Sequence, residues 1–158
     1  FYCSQHQCAD SILSRKILGL TVEYQGQLVD CYSCHINLPN CEGEDQLDNI
    51  RTIVERNQSQ NLKILMGDFN TDAISDPVSY QKIKCLGLLD TFDIAEQKDS
   101  GITVEKAIDG WNGHSEEKRL DYIFLNQPKQ VLSSQVIFNG KNKPVVSDHF
   151  GLDVELIL

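Results

Sequence analysis

The run Asn61-Leu62-Lys63-Ile64-Leu65-Met66 stops abruptly at Gly67 and presents a carboxylate and a carboxamide two positions apart, Asp68 and Asn70. β-favouring residues followed by a breaker predict a short interior strand that ends in a loop. Strand ends are where α/β sheets place their sites. On a locally extended backbone, residues two apart point to the same side, so Asp68 and Asn70 face one target while Phe69 packs into the core. A metal-bound water and a phosphate oxygen suit such a pair. A plain turn suits the residues equally, because Asp and Asn are common turn formers.

The 158 residues amount to one domain, long enough for a sizeable core. With 41% hydrophobic and 23% charged residues, the composition is that of a soluble globular chain. No apolar run approaches the ~20 residues of a membrane span, and no charged-then-apolar leader opens the chain. The expectation is therefore a cytoplasmic protein with no membrane partner. The chain opens on Phe1-Tyr2-Cys3 rather than Met, in material with the character of mid-domain sequence. A single domain over residues 1–158, lacking its N-terminal portion, is expected. The net charge of −9, from 23 acidic and 14 basic residues, disfavours a non-specific polyanion binder. Nucleic acid is thus a less favoured partner than a small phosphorylated molecule, although Lys141-Asn142-Lys143 and Ser14-Arg15-Lys16 are local exceptions. Composition does not set the oligomeric state.

Six cysteines, at positions 3, 8, 31, 34, 41 and 85, are read as reduced thiols, since a domain of this size does not need staples. Cys31 and Cys34 have metal-like spacing, but on a strand residues three apart point to opposite faces, which disfavours zinc.

In chain order, residues 1–14 have no period and read as irregular. Leu18, Leu20, Val22 and Tyr24 alternate with Gly19, Thr21 and Glu23, and Gln25-Gly26 turns this strand into a second one from Gln27 to about Asn37. There Val29, Cys31, Ser33 and His35 share one face, with Leu28, Tyr32, Cys34 and Ile36 on the other. His35 near the strand end is a candidate, with a structural hydrogen-bonding role as the alternative. Leu47, Ile50, Ile53 and Val54 give residues 43–57 a helical face. A second helix starts at Asp76-Pro77 and ends before Gly87. Residues 99–113 read as a polar loop, in which Trp111 is either a ring platform or a core anchor. In the strand Arg119–Leu125, Asp121 needs a partner. After another strand, Val131–Phe138, the pair Asp148-His149 before the last strand is a candidate acid/base site.

Taken in order, Ser33-Cys34-His35-Ile36-Asn37, Met66-Gly67-Asp68-Phe69-Asn70, Arg119-Leu120-Asp121-Tyr122-Ile123-Phe124 and Ser147-Asp148-His149-Phe150-Gly151-Leu152 resemble the endonuclease/exonuclease/phosphatase superfamily. Within it, Ser14–Leu18, Ile108–Trp111 and Pro144–Leu152 are similar to the bacterial maltose 6'-phosphate phosphatase group. The resemblance implies an α/β (α+β) chain forming part of a four-layer sandwich, two mixed β-sheets flanked by helices. It implies hydrolysis of phosphate esters with a divalent metal, Mg²⁺ or Mn²⁺. By position, His149 is the catalytic histidine, Asp121 orients it, Asp68 manages the attacking water, Asn70 donates to phosphate and His35 is a second phosphate-facing histidine. Asp148 is the metal ligand, and Arg15, Asn37 and Trp111 contact substrate. The family's early Asn and metal-binding Glu have no counterpart in this sequence. A sugar phosphate such as maltose 6'-phosphate is the first substrate expected. A nuclease or phosphodiesterase of the DNA or sphingomyelin type is the alternative, and an inactive fragment or non-catalytic binding domain the alternative from another class.

Overall fold

The alternating run that follows residue 15 forms the expected hairpin. Strand β2 (Lys16–Tyr24) pairs antiparallel with β3 (Gln27–His35), from Ile17 opposite Cys34 to Tyr24 opposite Gln27. Gln25 and Gly26 have φ of 51° and 80°, the positive values that let a two-residue turn match the strand twist. The computed structural model describes residues 2–3, 16–36, 43–56, 59–105 and 116–158. A short strand β1 (Tyr2–Cys3) pairs with β2 where irregular chain was expected.

Helix α1 (Gly43–Arg56) connects the hairpin to β4 (Leu62–Asp68), which runs parallel to β3. Helix α2 (Pro77–Lys84) has the expected start: the Asp76 side chain caps it by accepting from Ser79 N, with Pro77 in the first turn. The stretch after Gly87 folds more than the sequence announced, into β5 (Leu89–Asp90), the four-residue α3 (Thr91–Ile94) and β6 (Gln97–Lys98). These pieces are too short to carry a detectable period. Then come β7 (Asp121–Leu125), β8 (Gln130–Ile137) and β9 (Gly151–Ile157). One sheet has the order β1-β2-β3-β4-β7-β5 and the other β6-β8-β9. Each contains one parallel pairing, so both are mixed, as the fold class required.

Alternation along β3 divides the core. Tyr32, Cys34 and Ile36 meet Leu47, Ile50 and Ile53 of α1 and Tyr80 and Ile83 of α2. Val29 and Cys31 face the other way, toward Val131, Val154 and Leu156 of the second sheet. Helices thus cover one face of the large sheet and the small sheet covers part of the other. Beyond that cover, Leu18, Leu20, Val22 and Tyr24 of β2 are exposed. Cys31, Cys34 and Cys85 are free thiols, and burial pushes that of Cys34 up to about 12, which makes it a poor metal ligand. Among the described residues, no helix is long and apolar enough to cross a membrane.

Among the described residues the most deeply buried carboxylate is Asp90 rather than Asp121, 1% exposed and 2.7 Å from the Arg119 guanidinium. That guanidinium lies over the rings of Phe92 and Tyr122, 4.5 and 4.6 Å from their centroids. An ion pair packed against aromatic faces keeps a buried charge satisfied and ties the β5–α3 corner to the start of β7.

Where β4 passes β3, Gly67 has φ +135°, and a Cβ there would sit 2.0 Å from the Cys34 carbonyl oxygen. Only glycine lets the strand approach so closely before it delivers Asp68. Gly67→Ala is expected to destabilise the chain by roughly 2–4 kcal/mol, with urea unfolding as the check; an unchanged midpoint would show that β3 and β4 can separate freely here.

Candidate active site

Three adjacent strands bring the chemistry to one level. His35 ends β3, Asp68 ends β4 and Asp121 begins β7, and the pairing sets His35 beside Asp68 and Asp68 beside Asp121. Phe69 leaves this row for the core, as expected; it is wholly buried, with its ring edge-on to Tyr122 and Phe124. Its backbone N–H donates to the Leu120 carbonyl at 2.9 Å, so the loop after β4 stays tied to β7.

His149 arrives from the turn before β9 and places Nδ1 2.8 Å from Asp121 Oδ2. This is the partner that an Asp in an apolar strand required. His35 Nε2 lies 3.3 Å from Asp68 Oδ2. Side-chain exposure is 17% for Asp68, 17% for Asp121 and 20% for His149, against 47% for His35, so the first three are sheltered yet reachable.

Asn70 adopts a left-handed conformation at φ 46°, which Asn tolerates better than most residues. Its backbone N–H donates to Asp68 Oδ1 at 2.7 Å, and its carboxamide donates to the Ile36 carbonyl at 2.8 Å and to Asp68 Oδ2 at 3.2 Å. In this arrangement Asn70 holds Asp68, and an Asn70 N–H offered to phosphate would have to leave one of these acceptors.

The electrostatics follow from the packing. Burial pushes the Asp68 carboxyl above its ordinary value, and the nearby Asp121 charge adds to this; the Asn70 N–H, His149 and His35 oppose it. The hydrogen bond to Asp121 raises the His149 imidazole, the Asp68 and Asp148 charges add to it, and burial opposes it. One group is poised to take a proton and the other to keep one.

Asp68, Asp121 and His149 each offer a ligand atom, and these atoms all lie within 4.8 Å of one another. Two hard carboxylates fit Mg²⁺ or Mn²⁺, with most positions left to water and substrate; the imidazole suits Mn²⁺ better, and its Nδ1 is already engaged by Asp121. Asp148, the ligand expected from sequence, is exposed, accepts from the Ser147 hydroxyl at 3.1 Å and is not in this group. Arg15, Asn37 and Trp111 lie outside the described residues. Sequence reasoning overlooked Thr103, which is wholly buried and whose Oγ1 accepts from Leu120 N at 3.1 Å and Asp121 N at 3.3 Å. The triplet Ile102-Thr103-Val104, three β-formers inside a polar stretch, was its only sequence signal.

No protein-family model and no curated protein matches the sequence. Solved structures do. An endonuclease/exonuclease/phosphatase family protein from Leptotrichia buccalis is 54% identical over 100% of this chain, with a TM-score of 0.87. A mannosyl-6-phosphatase from Bacteroides thetaiotaomicron is 20% identical over 95% of the chain at TM-score 0.69. D. rerio TDP2, complexed with a single-strand DNA product, is 19% identical over 92% at TM-score 0.67. The chain spans 60%, 60% and 63% of these three.

The directions of the two shifts make a prediction. For both Asp68 and His149 the folded-state pKa is raised, so the folded chain binds more protons than the unfolded one. Their stability contributions are fully present below the ordinary values and are lost as pH rises through the raised ones. At neutral pH an ionised Asp68 therefore costs stability, and Asp68→Asn, which keeps an acceptor for Asn70, is expected to raise Tm at pH 7 but not at pH 3. Thermal melts at the two pH values check this; a lower Tm at pH 7 would mean that the hydrogen bonds to the carboxylate outweigh its burial.

Proposed function

We propose, from the premise that this chain has the endonuclease/exonuclease/phosphatase fold, that it carries the catalytic row of a metal-dependent phosphoesterase acting on a phosphomonoester, with a sugar phosphate such as maltose 6'-phosphate as substrate. The observation that carries the reading is the arrangement of His35, Asp68 and Asp121 on three neighbouring strands, with His149 fixed on Asp121.

In this mechanism Asp68 orients a water and accepts its proton, a task helped by burial that makes the carboxylate more basic. Asn70 and His35 hold the carboxylate in place. The water oxygen attacks phosphorus in line, the P–O ester bond breaks, and the departing alkoxide takes up a proton from solvent water. With Asp121 on Nδ1, a protonated His149 carries its second N–H on Nε2, the group proposed to donate to the phosphoryl group. A bound Mg²⁺ or Mn²⁺ ion would neutralise charge developing on the phosphoryl oxygens, with Asp68 and Asp121 as its carboxylate holders. No residue need be covalently modified. The net charge of −9 supports a small ester over a nucleic acid, because long-range repulsion acts on a polyanion along its whole length.

The test compares these 158 residues with a version extended to the length of the Leptotrichia buccalis relative. Each is assayed with Mg²⁺ on maltose 6'-phosphate, mannose 6-phosphate and plasmid DNA. The extended version is expected to release phosphate from a sugar phosphate, to lose this with a chelator, and to lose about 10³-fold with His149→Ala. The 158 residues alone are expected to be barely active, because the resemblance assigns them no metal-binding Glu. DNA cleavage without phosphate release would replace the phosphatase reading with the nuclease one. A folded extended protein that hydrolyses none of the three would favour a non-catalytic domain.

A further inference from the structure

The two members of the His149–Asp121 pair belong to segments far apart in sequence, and one buried residue touches the backbone of both. Thr103 is 0% exposed. Its Oγ1 accepts from the N–H of Leu120 and of Asp121, at 3.1 and 3.3 Å. Its carbonyl accepts from the N–H of Phe150, the residue after His149, at 2.8 Å. Its own N–H donates to the Lys118 carbonyl at 3.0 Å, which fixes the donor and acceptor sides of the same residue at once.

We infer that Thr103 is a positioning residue for the site, a buried clasp that fastens the turn carrying His149 to the strand carrying Asp121 and so sets the geometry of their pair. Three features support this beyond ordinary packing. The hydroxyl oxygen serves two consecutive amides, that of Leu120 just before β7 and that of Asp121 at its start, which fixes the direction in which Asp121 leaves the strand. The carbonyl serves the one amide that follows His149, and Phe150 is itself buried against Val136, so the turn is anchored from both sides. Gly101, two residues earlier, has φ +68° and a Cβ there would lie 2.6 Å from the Phe92 ring, so the approach of the Thr103 segment is also constrained. A side chain that tilts Asp121 by a fraction of an ångström changes the 2.8 Å bond between its carboxylate and His149.

The consequence for rate rests on the phosphoesterase reading, whereas the consequence for geometry does not. Thr103→Val keeps the shape and removes the acceptor; Thr103→Ser keeps the acceptor. In NMR spectra of the 158-residue chain, Thr103→Val is expected to shift or broaden away the resonance of the His149 Nδ1 proton held by Asp121, and Thr103→Ser to retain it. In the extended protein, the Mg²⁺-dependent rate on whichever ester it turns over should fall about 10–100-fold with Val and stay within about twofold with Ser. A Val variant that folds with the His149 resonance unmoved overturns the inference. An altered resonance with no hydrolysis in any form of the protein supports the clasp and counts against the phosphoesterase reading instead. If Thr103→Val does not fold, hydrogen exchange in the unsubstituted chain decides: the Asp121 and Phe150 amides should be protected to a similar degree, and a Phe150 amide exchanging like an open loop overturns the inference.

Discussion

Two carboxylates side by side at a sheltered strand end are the constraint around which this fold is arranged. Asp68 and Asp121 are paired across β4 and β7, where burial and the neighbouring Asp121 charge both disfavour ionisation of Asp68. The surroundings answer with donors: two from Asn70 and the His35 ring toward Asp68, and the His149 ring toward Asp121. These donors come from three segments of chain, the end of β3, the loop after β4 and the turn before β9, so the carboxylates are held only if those segments are held. Gly67 lets β4 come close enough to β3 for this.

Rigidity below the row comes from polar groups that found partners in the core. Arg119, packed against aromatic rings, joins Asp90 just before Asp121. The Tyr122 hydroxyl lies 2.8 Å from the Thr71 carbonyl and 2.7 Å from that of Arg119, and accepts from Ala73 N at 3.1 Å. The loop after Asn70 and the entry to β7 are thus tied at one point. Leaving any of these buried groups without its partner would cost on the order of 1–3 kcal/mol, more for the charged ones, so the loop carrying Asn70 has one favoured position. A site that must present a water and a phosphate in line benefits from such preorganisation, because misplacement of about 1 Å is costly in rate.

Much of this was legible in residues. The hairpin, the amphipathic α1, the cap of α2 and the strand ending in Gly67-Asp68 follow period and turn chemistry, which are local properties. The requirement that Asp121 have a partner was also legible, since an ionisable group inside an apolar strand carries a desolvation cost. Less legible was the stretch from Gly87 to Glu105. Its two-residue strands are defined by their neighbours rather than by their own pattern, and Thr103 matters for what its oxygen atoms reach. Asn70 shows the same limit: its residue type suggested a hydrogen-bonding role, but its target, Asp68 and Ile36 in this structure, depends on a left-handed backbone that sequence does not print.

By itself, then, the sequence determined where the longer strands and helices lie, which faces of them are apolar, and which few polar residues stand where an apolar one would pack better. These are consequences of side-chain period and of the cost of burying charge. Tertiary structure alone decided which of those polar residues meet. Register across β3, β4 and β7 put His35, Asp68 and Asp121 on one level, and the turn before β9 placed His149 within reach of them. The physical reason is that meeting is a property of pairs distant in the chain, fixed by strand pairing and by clasps such as Thr103, while sequence pattern speaks only for neighbours.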